Sequence, residues 1–221
     1  MKPGWWNTRP NSINIRSRPT KSRNFMSLKQ TDFVLSCLAS YGKADLALDE
    51  NLPGCFSPKT LARGTTYLAS GQRWQTFTLI REGIFRLYYL DSEGREHSKG
   101  FFGANQIMAP CAPVAVHQPV NFFIECLNEV SFYQADYQRV RDLLESSLWG
   151  QSVLTALLER VLDEKVQREY AWLNLDAKAR YVKFLQDQPK LSAQLPLYVI
   201  ANYLGMTDVT LSRIRRKLAL T

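Results

Sequence analysis

Near the C-terminus, Val209, Ser212, Arg213 and Arg216 are spaced so that they share one side of a helix, with Lys217 at its edge. At about 100° per residue they point outward, while Leu211, Ile214 and Leu218 fall within about 60° of one another on the other side. Arg215 flanks that apolar side. These residue types suit duplex DNA. An arginine fork matches guanine O6 and N7, a serine hydroxyl bonds a base edge or a phosphate, and basic side chains neutralise phosphates. Arg213 is the first choice for reading a base, with Ser212 beside it. Arg216 and Lys217, with Arg215 at the margin, are expected on phosphates.

Such a helix needs a second one to hold it, and IANYLGMTDVTLSRIRRKL supplies the pair. Pro196 can open the first helix, since its missing amide is harmless there. Leu197, Ile200, Ala201 and Leu204 then recur at the spacing of one buried face. Gly205 permits the positive φ of a sharp reversal. Thr207 can cap the next helix, and Asp208 sits in its first turn, where the helix dipole favours negative charge. The candidate DNA-binding set is therefore Thr207, Asp208, Val209, Ser212, Arg213, Arg215, Arg216 and Lys217. A helical hairpin whose basic residues are merely solvated is the competing reading.

Together with the lead-in LDAKARYVKFLQDQP, these motifs resemble the C-terminal helix-turn-helix of the Crp/Fnr superfamily of bacterial transcription factors, closely over 175–220 and more loosely over 52–134 and 136–173. The resemblance implies an α+β fold with an N-terminal antiparallel β-roll like a cyclic-nucleotide-binding domain (26–135). After it come a long dimerisation helix (136–173) and a winged-helix-like helix-turn-helix domain (174–221). It implies a homodimer on palindromic DNA, RNA polymerase as a further partner and a cytoplasmic, nucleoid-associated location. By position, Val209, Ser212 and Arg213 approach bases. The family commonly carries an acid where this chain has Val209, and a valine can instead contact a thymine methyl.

The charge distribution agrees with this organisation. The chain has 221 residues and a net charge of +8. The segment 1–25 carries +6 with no acid, 176–221 carries +5, and the middle is left at −3. Positive ends suit a polyanion. The segment 1–25 reads as a disordered basic extension, either an arm adding DNA contacts or a product of too early a start, because Met26 opens a credible helix. Acidic and basic residues interrupt every apolar stretch short of a membrane span. Cys37, Cys55, Cys111 and Cys126 are scattered, with no metal-ligand spacing, and read as thiols in a reducing compartment. None precedes Cys37 to hold the N-terminal iron–sulfur cluster of some family members, so no cofactor or metal is expected. No phosphate loop or nucleophile with its base suggests an enzyme.

From Leu61 onward the period changes. Segments 74–80 and 84–90 flank Arg81, Glu82 and Gly83 as a hairpin signal; further strands are expected at 95–102, 121–127 and 130–134. The family's nucleotide pocket pairs Gly-Glu with a later Arg and a small hydroxyl residue. The corresponding QIMAPCAPVAVHQPVN has neither pair, and no arginine lies between Arg95 and Arg139. A buried cyclic phosphate lacks its usual fork there, so the effector is expected to be something other than cAMP or cGMP. His97, Lys99, His117 and Gln118 are the polar residues nearest to such a pocket and receive no role. Across 136–173, Leu154, Leu158, Leu162, Val166 and Tyr170 form one stripe and Val153, Leu157 and Val161 a second, so one can face a second subunit. Burial wholly within one domain is the alternative. A β-roll whose helical tail docks protein rather than DNA is the rival reading of the whole chain.

Overall fold

The computed structural model describes residues 28–43 and 51–219. The basic segment 1–25 and the helix start at Met26 lie outside these residues. Among the described residues, eight strands form two four-stranded antiparallel sheets. They are β1 (Ser57–Leu61), β2 (Thr66–Leu68), β3 (Thr76–Glu82), β4 (Phe85–Leu90), β5 (Glu96–Phe102), β6 (Ile107–Met108), β7 (Phe123–Cys126) and β8 (Val130–Asp136). One sheet runs β1-β8-β3-β6 and the other β2-β7-β4-β5. Between them lies an apolar core that includes Ile80, Phe85, Ile124 and Phe132, so the expected roll is present.

One connection differs from expectation. The strands on either side of Arg81, Glu82 and Gly83 exist, but β3 pairs with β8 and β6 while β4 pairs with β5 and β7, so they form no hairpin. The turn is a corner between sheets. Gly83 has φ +89°, and a Cβ there would lie 2.8 Å from Val130 Cα. Ile84 N–H donates to Asn128 Oδ1 at 2.8 Å, and Leu127 N–H donates to the Ile84 carbonyl at 3.0 Å. These bonds lash this crossover to the one between β7 and β8. The true hairpin is β4–β5, where Asp91 accepts from the Glu93 and Arg95 amides, each at 2.9 Å. His97 and then Arg95 hold its carboxyl well below the usual carboxylate range.

The expected single helix over 136–173 is two helices, α3 (Tyr137–Glu145) and α4 (Leu148–Asn174), which follow α1 (Leu28–Ala39) and the short α2 (Pro113–His117). Ser146 and Ser147 interrupt it. The Ser147 side chain accepts the Gly150 N–H at 3.0 Å, which makes it an N-cap and starts a new helix. At 27 residues, α4 is about 40 Å long. Trp149, Val153 and Leu157 pack with Val34 and Leu38 of α1 in a second core, under the β1 sheet. The other stripe is bare from Leu158 onward. Leu158, Leu162, Val166 and Tyr170 are 52%, 65%, 53% and 54% exposed.

Beyond α4 come α5 (Ala177–Asp187), α6 (Pro189–Ser192), α7 (Leu197–Tyr203) and α8 (Asp208–Lys217). Their core of Tyr181, Phe184, Leu195, Val199, Ile200, Leu204, Leu211 and Ile214 also takes in Ile84 of the roll, so helices and roll share apolar surface. Among the described residues no strand follows β8, and no wing accompanies the helical pair there.

Candidate nucleic-acid interface

In α8, the Thr207 side chain accepts the Thr210 N–H at 3.2 Å as the N-cap, and Asp208 lies in the first turn. Leu211 and Ile214 are buried and Leu218 is half-buried. Val209, Ser212, Arg213, Arg216 and Lys217 are exposed. The structure therefore brings the candidate residues onto one helix face, with no ion pair to Arg213, Arg216 or Lys217 among the described residues. Arg215 is different. It is half-buried, and Nη1 donates to the Tyr181 hydroxyl at 3.2 Å, a bond that ties α8 to α5.

Two details of α7 depart from the sequence reading. Pro196, at φ −58° and ψ 144°, is the N-cap, so the helix begins one residue later. Leu197 is 44% exposed, while Val199 is fully buried beside Ile200 and Ala201. In a seven-residue helix the first residue need not share the packed face, because Leu195 already fills the core just ahead of it. Gly205 behaves as expected, with φ +63°. The same atom position is also occupied from outside, because a Cβ on Gly205 would collide with the Trp172 ring near the end of α4. A side chain there would be strained at this φ and would have to displace the Trp172 ring.

The residues that aim this unit escaped the sequence reading. Arg180 stacks on Trp172 at 5.3 Å and donates to the carbonyls of Leu204 at 3.1 Å and Leu175 at 3.0 Å, joining the helical turn to the end of α4. Arg168 of α4 donates to the carbonyls of Lys99 and Ser98 on β5 and, at 3.5 Å, to that of Tyr203, whose ring it also covers. Asn202 of α7 accepts the Ser98 N–H and donates to the Glu96 carbonyl. Since β5 is an edge strand, the carboxamide stands in for a neighbouring strand along its free polar groups. Behind that edge lies Arg86, 2% exposed, bonded to Ser98 Oγ (2.8 Å), Glu96 (2.6 Å) and Glu125 (3.0 Å). Nothing in local periodicity marks these partners; the one available cue was an arginine and an asparagine inside otherwise apolar runs.

A cavity of about 490 Å³ opens where the roll, α4 and the helical end meet, and Lys99 is the charged side chain that the roll contributes to it. His97, His117 and Gln118 do not line it. His97 instead bonds Asp91 at 2.9 Å, in the hairpin turn. Burial pushes the Cys37 thiol up to about 12 and Cys111 and Cys126 to about 11, so these remain protonated near neutral pH. Among the described residues no helix is long and apolar enough to cross a membrane.

No protein-family model matches the chain, and no curated protein does. Solved structures do. FixK2 from Bradyrhizobium japonicum is similar at a TM-score of 0.66 and 15% identity, covering 74% of this chain and 84% of that one. A CooA mutant from Carboxydothermus hydrogenoformans is similar at 0.62 and 15%, covering 74% and 76%. The c-di-GMP-responsive global regulator CLP of Xanthomonas campestris is similar at 0.60 and 15%, covering 85% and 91%. The β-roll, the long helix and the terminal helical pair of this chain thus compose the fold that these Crp/Fnr-type proteins share.

Proposed function

We propose that this protein is a transcription regulator of the Crp/Fnr type that binds imperfectly palindromic DNA as a homodimer. The observation that carries the reading is α8, whose Arg213, Arg216 and Lys217 stand exposed, with no ion pair among the described residues, on a helix anchored from behind by Leu211 and Ile214. Arg213 reads a guanine, Ser212 a neighbouring base or phosphate, and Val209, 59% exposed, a thymine methyl. Thr207 and Asp208 start the helix that enters the groove. Arg216 and Lys217 neutralise phosphates, and Arg215 mainly fixes α8 on Tyr181.

The bare stripe on α4 supports the dimer. Four large apolar side chains in a row on a 27-residue helix form the kind of exposed patch that marks an interface. Paired about a two-fold axis, two α8 helices would enter successive major grooves about 34 Å apart. RNA polymerase is the expected further partner and the bacterial cytoplasm the expected site of action. The roll acts as a sensor domain whose effector is other than cAMP or cGMP; among the described residues the arginines that line the cavity, Arg168 and Arg180, come from the helices and none from the roll.

Fluorescence anisotropy against a randomised duplex library, read across salt concentrations, tests the reading. A palindromic preference and affinity falling steeply with salt are expected. Binding indifferent to sequence at every ionic strength would leave a tail that docks protein. Sedimentation of Leu162→Asp should show monomers where the parent chain is a dimer.

A further inference from the structure

The cavity at the junction is lined by apolar and aromatic surface from all three bodies: Trp74 and Phe122 from the roll, Ala171 and Trp172 from α4, Phe184 and Tyr203 from the helical end. Its volume of about 490 Å³ falls within the range of sites that take small organic molecules. Charge distinguishes it from an ordinary apolar void. Lys99, Lys165 and Arg168 converge on it. Three acids also line it: Glu164 is paired with Arg160 at 3.1 Å and Asp187 with Lys183 at 3.0 Å, and Asp163 is solvent-exposed.

The Lys99 ammonium has no carboxylate partner among the described residues. It lies 3.9 Å from the Phe122 ring centre and 5.4 Å from that of Tyr89. Arg168 is held in place by the β5 carbonyls, which satisfy its donors without cancelling its charge. A half-buried cation facing rings, with the exposed Lys165 and the half-buried Arg168 beside it and two of the three neighbouring acids engaged elsewhere, leaves net positive potential in a partly enclosed space.

We infer that this three-way cavity is a binding site for a small organic anion with a flat apolar body and one carboxylate, sulfonate or phosphate, the anion seated on Lys99 and Lys165 and the body between Trp74, Phe122 and Tyr203. Burial first, then Lys165 and Arg168, hold the Lys99 ammonium down to about 8, a cost that an arriving anion relieves. The cavity walls include both β5 and α7, the elements bridged by Asn202 and Arg168. Occupancy therefore changes how the helical end is held on the roll. That regulatory consequence rests on the regulator reading above; the binding does not.

The test uses two fluorescent probes of nearly one shape on the full chain: anionic 1-anilinonaphthalene-8-sulfonate and neutral N-phenyl-1-naphthylamine. The sulfonate should saturate one tight site per chain. Lys99→Met should weaken it tenfold or more, Lys165→Met several-fold, and Lys99→Arg far less, with the neutral probe changing less than twofold in each. Leu162→Gln should leave both probes unchanged, which separates the cavity from the bare stripe of α4. Competition by 1-naphthoate and by 1-naphthyl phosphate then ranks carboxylate against phosphate. Sulfonate binding unaffected by Lys99→Met and Lys165→Met together, equal weakening of both probes, or no competition by either naphthyl anion would overturn the assignment. Anisotropy with duplex DNA is read separately. A chain that ignores DNA yet binds the sulfonate as stated removes the regulator reading and leaves the site.

Discussion

The arginines of α8 and those at the seam between roll and helices are the same chemical group put to opposite uses. Arg213 and Arg216 stand exposed with no ion pair among the described residues, whereas Arg86, Arg168 and Arg180 spend their donors on carbonyls, carboxylates and a hydroxyl inside the molecule. A guanidinium with partners fixes geometry, and one without is available to a ligand. Arg215 lies between the two, bonded to Tyr181 but half-exposed.

Removing the anchor behind α8 should disturb the molecule most. Leu211→Ala, at a fully buried position, should cost about 2 to 5 kcal/mol of unfolding free energy in urea denaturation and take DNA binding with it. The seam and the reading face should then separate cleanly. Arg213→Ala should cost about 1 to 3 kcal/mol of specific DNA affinity and relax preference at one base pair, with the melting temperature unchanged. Arg168→Ala should instead lower the melting temperature and leave base preference intact. If both variants lost base preference without destabilisation, internal hydrogen bonding would not separate these arginines by role.

A smaller effect is expected at Asn202. Asn202→Leu leaves the Ser98 amide and the Glu96 carbonyl without their carboxamide. It should loosen the roll from α7, seen as faster amide exchange at Ser98, by about 1 to 3 kcal/mol in local opening free energy. Smaller still is Lys99→Met. Lys99 is charged in both folded and unfolded chains below about 8, so burial costs stability there. The cost fades as pH rises through 8 toward the unfolded value. The variant should melt higher than its parent at pH 7, with the gain shrinking above pH 8. A gain that grew with pH would contradict the depressed ammonium. Lys217→Ala should weaken all DNA sequences alike and flatten the salt dependence, with no effect on stability.

The reading face was legible because its determinants are local. Thr207 as cap, Gly205 as reversal, and Leu211 and Ile214 as the buried spacing all lie within a few residues of one another, and each occurs as expected. The two stripes of α4 were legible for the same reason, and the one through Val153 and Leu157 is the one that this chain buries. Ser146 and Ser147 carried the break in the long helix in plain view, but apolar periodicity on both sides masked it. The corner at Gly83 carries the same local signal as a hairpin, because a turn signal states that the chain reverses and not which sheet receives it.

Sequence alone determined the periodic elements, the caps and turns, and the face of α8 that carries unpaired charge, since these depend on dihedral preferences and on residues less than two helical turns apart. Tertiary structure decided which strands pair, which arginines are consumed, and that Lys99, Trp74, Arg168 and Tyr203 surround one cavity. Those outcomes depend on contacts between residues up to about a hundred positions apart, such as Asn202 with Ser98. Their free energy appears only when the edge of β5 meets α4 and α7, and no local pattern encodes it.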